Sequence, residues 1–313
     1  MITTFAVLLR IFSNSTANLY QKKSAELSSP ILVNLYSYLL MSLFCIIPAL
    51  FINWNIYPPI FWVYVVFAGL LCTIGTIALI AALKIGDLSV LAPINSYKSV
   101  IGLISAIFIL KEFPNTTEIL CILLIIIGSY FVIDNKEEKF TIKTFLRKDI
   151  QLRFFALFCS GIEASFLKKI ILMSSFSISL ILWCFSGFIC SFFIYLMLKP
   201  CNLKLKKENH KNCFIIAITL IIMQLSTNYV FSKIPVGTAL ALFQLSSLVS
   251  LYYGYKMYHE KHIIKKFIGT IIMISSAAIL LLKHWLWFYK IDIRNCIKRN
   301  RTKYNFHLMV IER

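Results

Sequence analysis

Residues 61–83 read FWVYVVFAGLLCTIGTIALIAAL, a run without a single charged side chain. A helix needs about 20 mainly apolar residues to cross the hydrocarbon core of a bilayer, so this run can span one. Nine further apolar runs lie near 4–21, 30–52, 89–110, 115–133, 152–172, 177–198, 213–231, 237–256 and 264–283. Only helices and closed barrels satisfy their backbone inside lipid, and continuous runs of this length exclude the alternating pattern of a barrel. The sequence therefore predicts an all-α, multi-pass membrane protein with ten transmembrane helices. The first run has no charged lead and no small-residue cleavage site, so it reads as a transmembrane helix and not as a removed signal.

Composition agrees. Of 313 residues, 59% are hydrophobic and 14% charged, against about 25% charged in a soluble domain. The net charge of +19 comes from Lys and Arg placed between the apolar runs. That is the pattern of loops at a membrane surface and not of a nucleic-acid-binding face. Cys45, Cys72, Cys121, Cys159, Cys184 and Cys190 sit inside the runs without C-x-x-C spacing and read as small buried residues. The histidines fall in loops or the tail, and His259 with His262 forms a lone HxxH, too little for a metal site. No cofactor is expected.

The chain repeats itself. Gln21-Lys22-Lys23 with Ser28-Ser29 recurs as Leu167-Lys168-Lys169 with Ser174-Ser175, and Lys84 and Glu112 recur as Lys233 and Glu260. The order and the near-constant offset predict a duplication. Its halves are residues 1–134 and 152–283, joined by a charged connector at 135–151 and followed by a basic tail at 284–313. Five spans per copy force the second copy to insert upside down. Inverted repeats are a recurring design of secondary transporters, with the substrate held where they meet, near the midplane.

Two stretches carry a family resemblance. The first runs from Leu91-Ala92-Pro93-Ile94 to Lys111-Glu112 and on through Ile119 to Gly128. The second runs from Val236-Gly237-Thr238-Ala239 to His259-Glu260 and on to Gly269. A proline-containing fourth span, a glutamate at its end and a glycine-punctuated fifth span resemble the drug/metabolite transporter superfamily, in its EamA-like ten-helix branch. Pro93, Glu112, Gly128, Glu260 and Gly269 are the motif positions. The sequence departs from the pattern where Lys111 and His259 replace the usual glycine, and where Ala241 lies near the place of a second proline. The resemblance implies a ten-helix carrier of small organic solutes with a central cavity.

Ionisable residues deep in a span are costly and are candidate functional groups. Arg10 lies in the first span, Lys98 in the fourth and Glu163 in the sixth. One reading is a wet cavity in which two cations and one carboxylate favour an anion, or a zwitterion with a carboxylate. Glu163 is then the coupling candidate, able to carry a proton by cycling between charged and neutral forms. The other reading is a structural Lys98–Glu163 ion pair between the halves. Arg10, Asn14 and Asn18 form an i, i+4, i+8 stripe on one helix face, which points to a cavity wall. Asn95 shares a face with Lys98. Gln224, Asn228 and Gln244 complete the candidate substrate-binding set, each with an interhelical hydrogen bond as its plainer role. Glu112 and Glu260 are expected to bond backbone at the start of the next helix. Gly69, Gly75, Gly102 and Gly128 read as close-packing positions.

The expected function is a secondary transporter of a small organic solute, such as an amino acid, metabolite or drug-like molecule, in the plasma (inner) membrane. The alternatives are a lipid-carrier flippase of the same fold and a non-transporting membrane partner. No P-loop, G-x-S-x-G or Rossmann fingerprint occurs, and an enzyme is not expected. The expected partners are the solute and the bilayer, with no nucleic acid; a homodimer is compatible with this reading. Orientation is left open. The basic residues favour the connectors after odd-numbered spans, whereas the family layout and the basic tail place the termini inside. Trp285, Trp287, Phe288 and Tyr289 read as an interface anchor, and the rest of the tail as surface or disordered chain.

Overall fold

A computed structural model describes residues 2–88, 91, 94, 95, 97–133, 146–198, 206–258, 271, 272, 275, 276 and 279. Regular structure among them is helical throughout. The first half contains α1 (Ile2–Leu27), α2 (Pro30–Leu50), α3 (Pro59–Ile85), α4 (Tyr97–Leu110) and α5 (Thr116–Ile133). The second contains α6 (Lys148–Met173), α7 (Phe176–Leu198), α8 (Lys207–Phe231), α9 (Val236–Phe243) and α10 (Ser246–Tyr258). The ninth expected span is thus two helices. The tenth falls mostly outside the described residues, as do Pro93, Glu260, Gly269, the HxxH pair and the tail.

Local chemistry accounts for the boundaries. The Ser-Ser repeat caps the second helix of each half: Leu32 N–H donates to Ser29 Oγ at 3.3 Å and Ile178 N–H to Ser175 Oγ at 3.2 Å. Pro58-Pro59 opens α3, and α5 begins on a capping box in which Asn115 and Glu118 exchange backbone-to-side-chain bonds of 3.0 and 3.1 Å. Lys111, just past α4, has φ of 57°. This is the left-handed region that glycine occupies freely, which gives a physical meaning to the glycine expected there.

The helices pair in exchanged sets. Helix α3 packs on α6 and α1 on α8; α4 packs on α6 and α1 on α9 and α10; α2 packs on α7, and α4 on α9. Exchanging the two five-helix halves turns each of these pairings into another on the same list, or into itself. The fold is therefore two interlocked five-helix repeats of opposite insertion. The contacts are close. A side chain at Gly102 in α4 would strike Leu240 of α9, and one at Gly69 in α3 would meet Ser186 of α7 at 2.7 Å.

Five segments are long and apolar enough to cross a membrane: Pro30–Leu50, Pro59–Ile85, Phe176–Leu198, Lys207–Phe231 and Val236–Met257. The outer surface is greasy, with Phe12, Phe67, Phe108 and Phe193 at least half exposed, as befits a chain whose solvent is lipid. Helices α1 and α6 have the length but carry more polar residues, and those residues are turned inward. Arg10, Asn18, Gln21, Arg153 and Glu163 are all buried. The protein is an all-α, multi-pass membrane protein organised around a polar interior.

Candidate functional site

The polar stripe of α1 faces a break in the ninth span. Helix α9 ends at Phe243, Gln244 and Leu245 form a turn, and α10 starts at Ser246. Asn14 Nδ2 donates to Ser246 Oγ at 3.1 Å, and Ser15 Oγ donates to the Ser246 carbonyl at 2.7 Å. Arg10 Nη1 reaches the Phe243 carbonyl at 3.5 Å, and its guanidinium lies 4.3 Å from the Phe243 ring centroid. The Phe243 carbonyl is one of those a helix end leaves free, and α1 supplies its donor through Arg10. The fourth span is interrupted likewise. Leu91 and Ile94 are helical, Asn95 is in a turn and α4 resumes at Tyr97. Here α6 supplies the donor, Arg153 Nε to the Leu91 carbonyl at 3.2 Å.

Between these breaks lies a cavity of about 910 Å³ of atom-free space, open solvent included. Arg10, Asn14, Asn18, Asn95, Lys98, Glu163 and Gln224 all line it. Residues from the first, fourth, sixth and eighth spans, far apart in sequence, thus meet at one place. Two of the expected binding residues are not among the lining. Asn228 is fully buried, accepting from Gln224 Nε2 at 2.8 Å and donating to the Phe176 carbonyl at 3.1 Å. Gln244 donates to the Leu240 carbonyl one turn back at 3.0 Å. Both serve helix packing, because each amide finds a nearer backbone or side-chain partner than the cavity offers.

The structure adds lining residues that the sequence did not single out: Gln21, Arg153, Tyr38, Trp183, Cys72 and Thr76. Arg153 lies at the edge of the sixth span, where a charge ordinarily marks the membrane boundary. Its one signal is that α6 starts at Lys148, which places Arg153 more than a turn inside. Glu163 Oε1 accepts from Trp183 Nε1 at 2.8 Å. It makes no direct ion pair with Lys98, since the pairs among the described residues lie elsewhere. The simple structural pair is therefore not what holds these two groups, although both face the same space.

One end of the bundle carries a polar knot. Glu112, after α4, pairs with Lys168 of α6 at 2.5 Å and accepts the Val236 N–H at the start of α9 at 3.0 Å. Lys168 also donates to the Ile234 carbonyl at 2.9 Å. Glu112 thus does bond backbone at a helix start, but that helix belongs to the other half. The next helix, α5, is capped by Asn115 and Glu118. Gly128 is buried within α5.

The EamA-like transporter family matches residues 1–134 and 148–282. Among curated proteins, none matches this chain. A solved structure described as "Crystal structure of protein" superposes with a TM-score of 0.68 at 12% identity, over 91% of this chain and 98% of that one. At that identity the likeness speaks to the fold.

Proposed function

The chain belongs to the EamA-like transporter family, and on that premise we propose that it is a secondary transporter carrying a small organic solute across the plasma membrane by alternating access. The repeats are taken as residues 1–134 and 152–283, and the solute site as the cavity between them. One observation carries the reading: Arg10, Asn14, Lys98 and Glu163, from three spans and both halves, line a single polar space inside a chain whose exterior is apolar. Charges and amides are costly within a bilayer, and a water-filled site for a polar solute is what makes such a cluster tolerable. The broken fourth and ninth spans support the same reading, since discontinuous helices at the repeat interface are a common way to build a carrier site.

The roles follow from chemistry. Arg10 and Lys98 supply positive charge, Asn14, Asn18, Asn95 and Gln224 supply hydrogen bonds, and Glu163 is the coupling residue. The test is solute counterflow in proteoliposomes over a panel of amino acids, organic acids and amphipathic drugs. One class should exchange, and Lys98→Gln or Glu163→Gln should slow that exchange by about 30-fold or more, the worth of roughly 2 kcal/mol from a lost charged contact. Exchange unaffected by changes at Arg10, Asn14, Lys98 and Glu163 would remove the site from the cavity. No exchange of any class would remove the transporter reading.

A further inference from the structure

We propose that the solute is a net-negative organic anion whose carboxylate or phosphate group sits among Arg10, Lys98 and Arg153. The proposal rests on the cavity being the transport site. It goes further by fixing the sign of the cargo's charge and by adding Arg153 to its recognition.

Charge arithmetic is the first ground. Three cations and one carboxylate line the cavity. The ion pairs among the described residues, Lys22–Asp87, Arg147–Asp149 and Lys168–Glu112, involve none of the three cations. Glu163 already accepts from Trp183, and it balances one positive charge at most. Buried charge without a counter-charge is strongly unfavourable, so the surplus draws an anion from solution. A cleft of one sign with low-dielectric walls concentrates ions of the other.

Geometry is the second ground. Arg10 is 5% exposed, yet its Nε has no hydrogen-bond partner among the described residues. Its one carbonyl contact is long, at 3.5 Å. Arg153 spends Nε on the Leu91 carbonyl, and no bond from its terminal nitrogens is made among the described residues. Both arginines therefore keep donors of the planar fork that carboxylates and phosphates accept in pairs. The two side chains play related parts. Each comes from the first helix of one half and bonds a carbonyl at the broken helix of the other. Lys98, one residue into α4, lines the same cavity as both arginines and Glu163. The amino end of that helix adds further positive potential at the same place.

The test is thermal unfolding of the full chain in detergent with four probes. These are succinate as a dicarboxylate, glycerol phosphate as a phosphate monoester, leucine as a zwitterion and tetraethylammonium as a cation. One of the two anions should raise Tm in a saturable way, and which one does so separates the carboxylate from the phosphate. Lys98→Gln and Arg153→Gln should each weaken its apparent Kd at least tenfold, Arg153→Lys should recover part of the loss, and Lys233→Gln on the exposed surface should change nothing. Because Arg153→Lys keeps the charge, it also serves if Arg153→Gln does not fold. A larger shift with tetraethylammonium or leucine, an Arg153→Lys protein that binds no better than Arg153→Gln, or no shift with either anion would overturn the proposal. Anion binding without counterflow would remove the transporter reading and leave the charge assignment standing. Counterflow of a cationic or neutral solute alone would do the reverse.

Discussion

The two halves carry matching lysines, one toward each end of the bundle, beside acids of unequal exposure. At one, Lys168 is 7% exposed and is held at once by Glu112 and the Ile234 carbonyl, while Glu112 also takes the first N–H of α9. At the other, Lys22 stands in the matching place of the first half. It is equally buried, at 7%, and approaches Asp87 at 4.0 Å, the Asp87 side chain being 67% exposed. The duplication thus buries the same lysine at both ends, while of the two described acids Glu112 is 23% exposed by side chain and Asp87 67%.

Breaking the knot should have the largest effect. Lys168→Met leaves a half-buried carboxylate and a backbone carbonyl without their shared donor. Loss of one partner of a buried pair costs about 3 kcal/mol or more, so thermal or denaturant unfolding should show a loss of that order. A middling effect, of opposite sign, is expected at Lys111. Its φ of 57° strains any side chain, so Lys111→Gly should stabilise the chain by about 1 kcal/mol in the same assay. The smallest effect belongs to the exposed Asp87. Asp87→Asn should shift stability by less than about 0.5 kcal/mol, as exposed pairs do. Equal losses at Lys168 and Asp87 would erase the distinction between the two ion pairs.

The helix layout was legible in the sequence because lipid imposes a length on every span, and runs such as 61–83 carry nothing else. The Ser-Ser repeat was legible for a similar reason, since a helix cap is local and both copies use it alike. What could not be read was partnership. Asn228 and Gln224 share a helix face, but only packing decides that Gln224 lines the cavity while Asn228 bonds the Phe176 carbonyl. Arg153 stands at the second position of the apolar run 152–172 and is not singled out there, because its meaning depends on where α6 begins. The break at Gln244 carries no proline or glycine to announce it. Glu112 was expected at a helix start, but a local reading could not find that the helix lies across the repeat interface.

Distances across the two ends test the central claim most directly. Spin labels at Phe113 and Lys233 report on the Lys168 end, and labels at Glu26 and Lys84 on the Lys22 end, all four being exposed positions. Double electron–electron resonance in proteoliposomes, with and without the transported solute, should show the distances at the two ends changing in opposite senses, one lengthening as the other shortens. Distances that stay fixed, or that lengthen and shorten together, would contradict alternating access through this cavity.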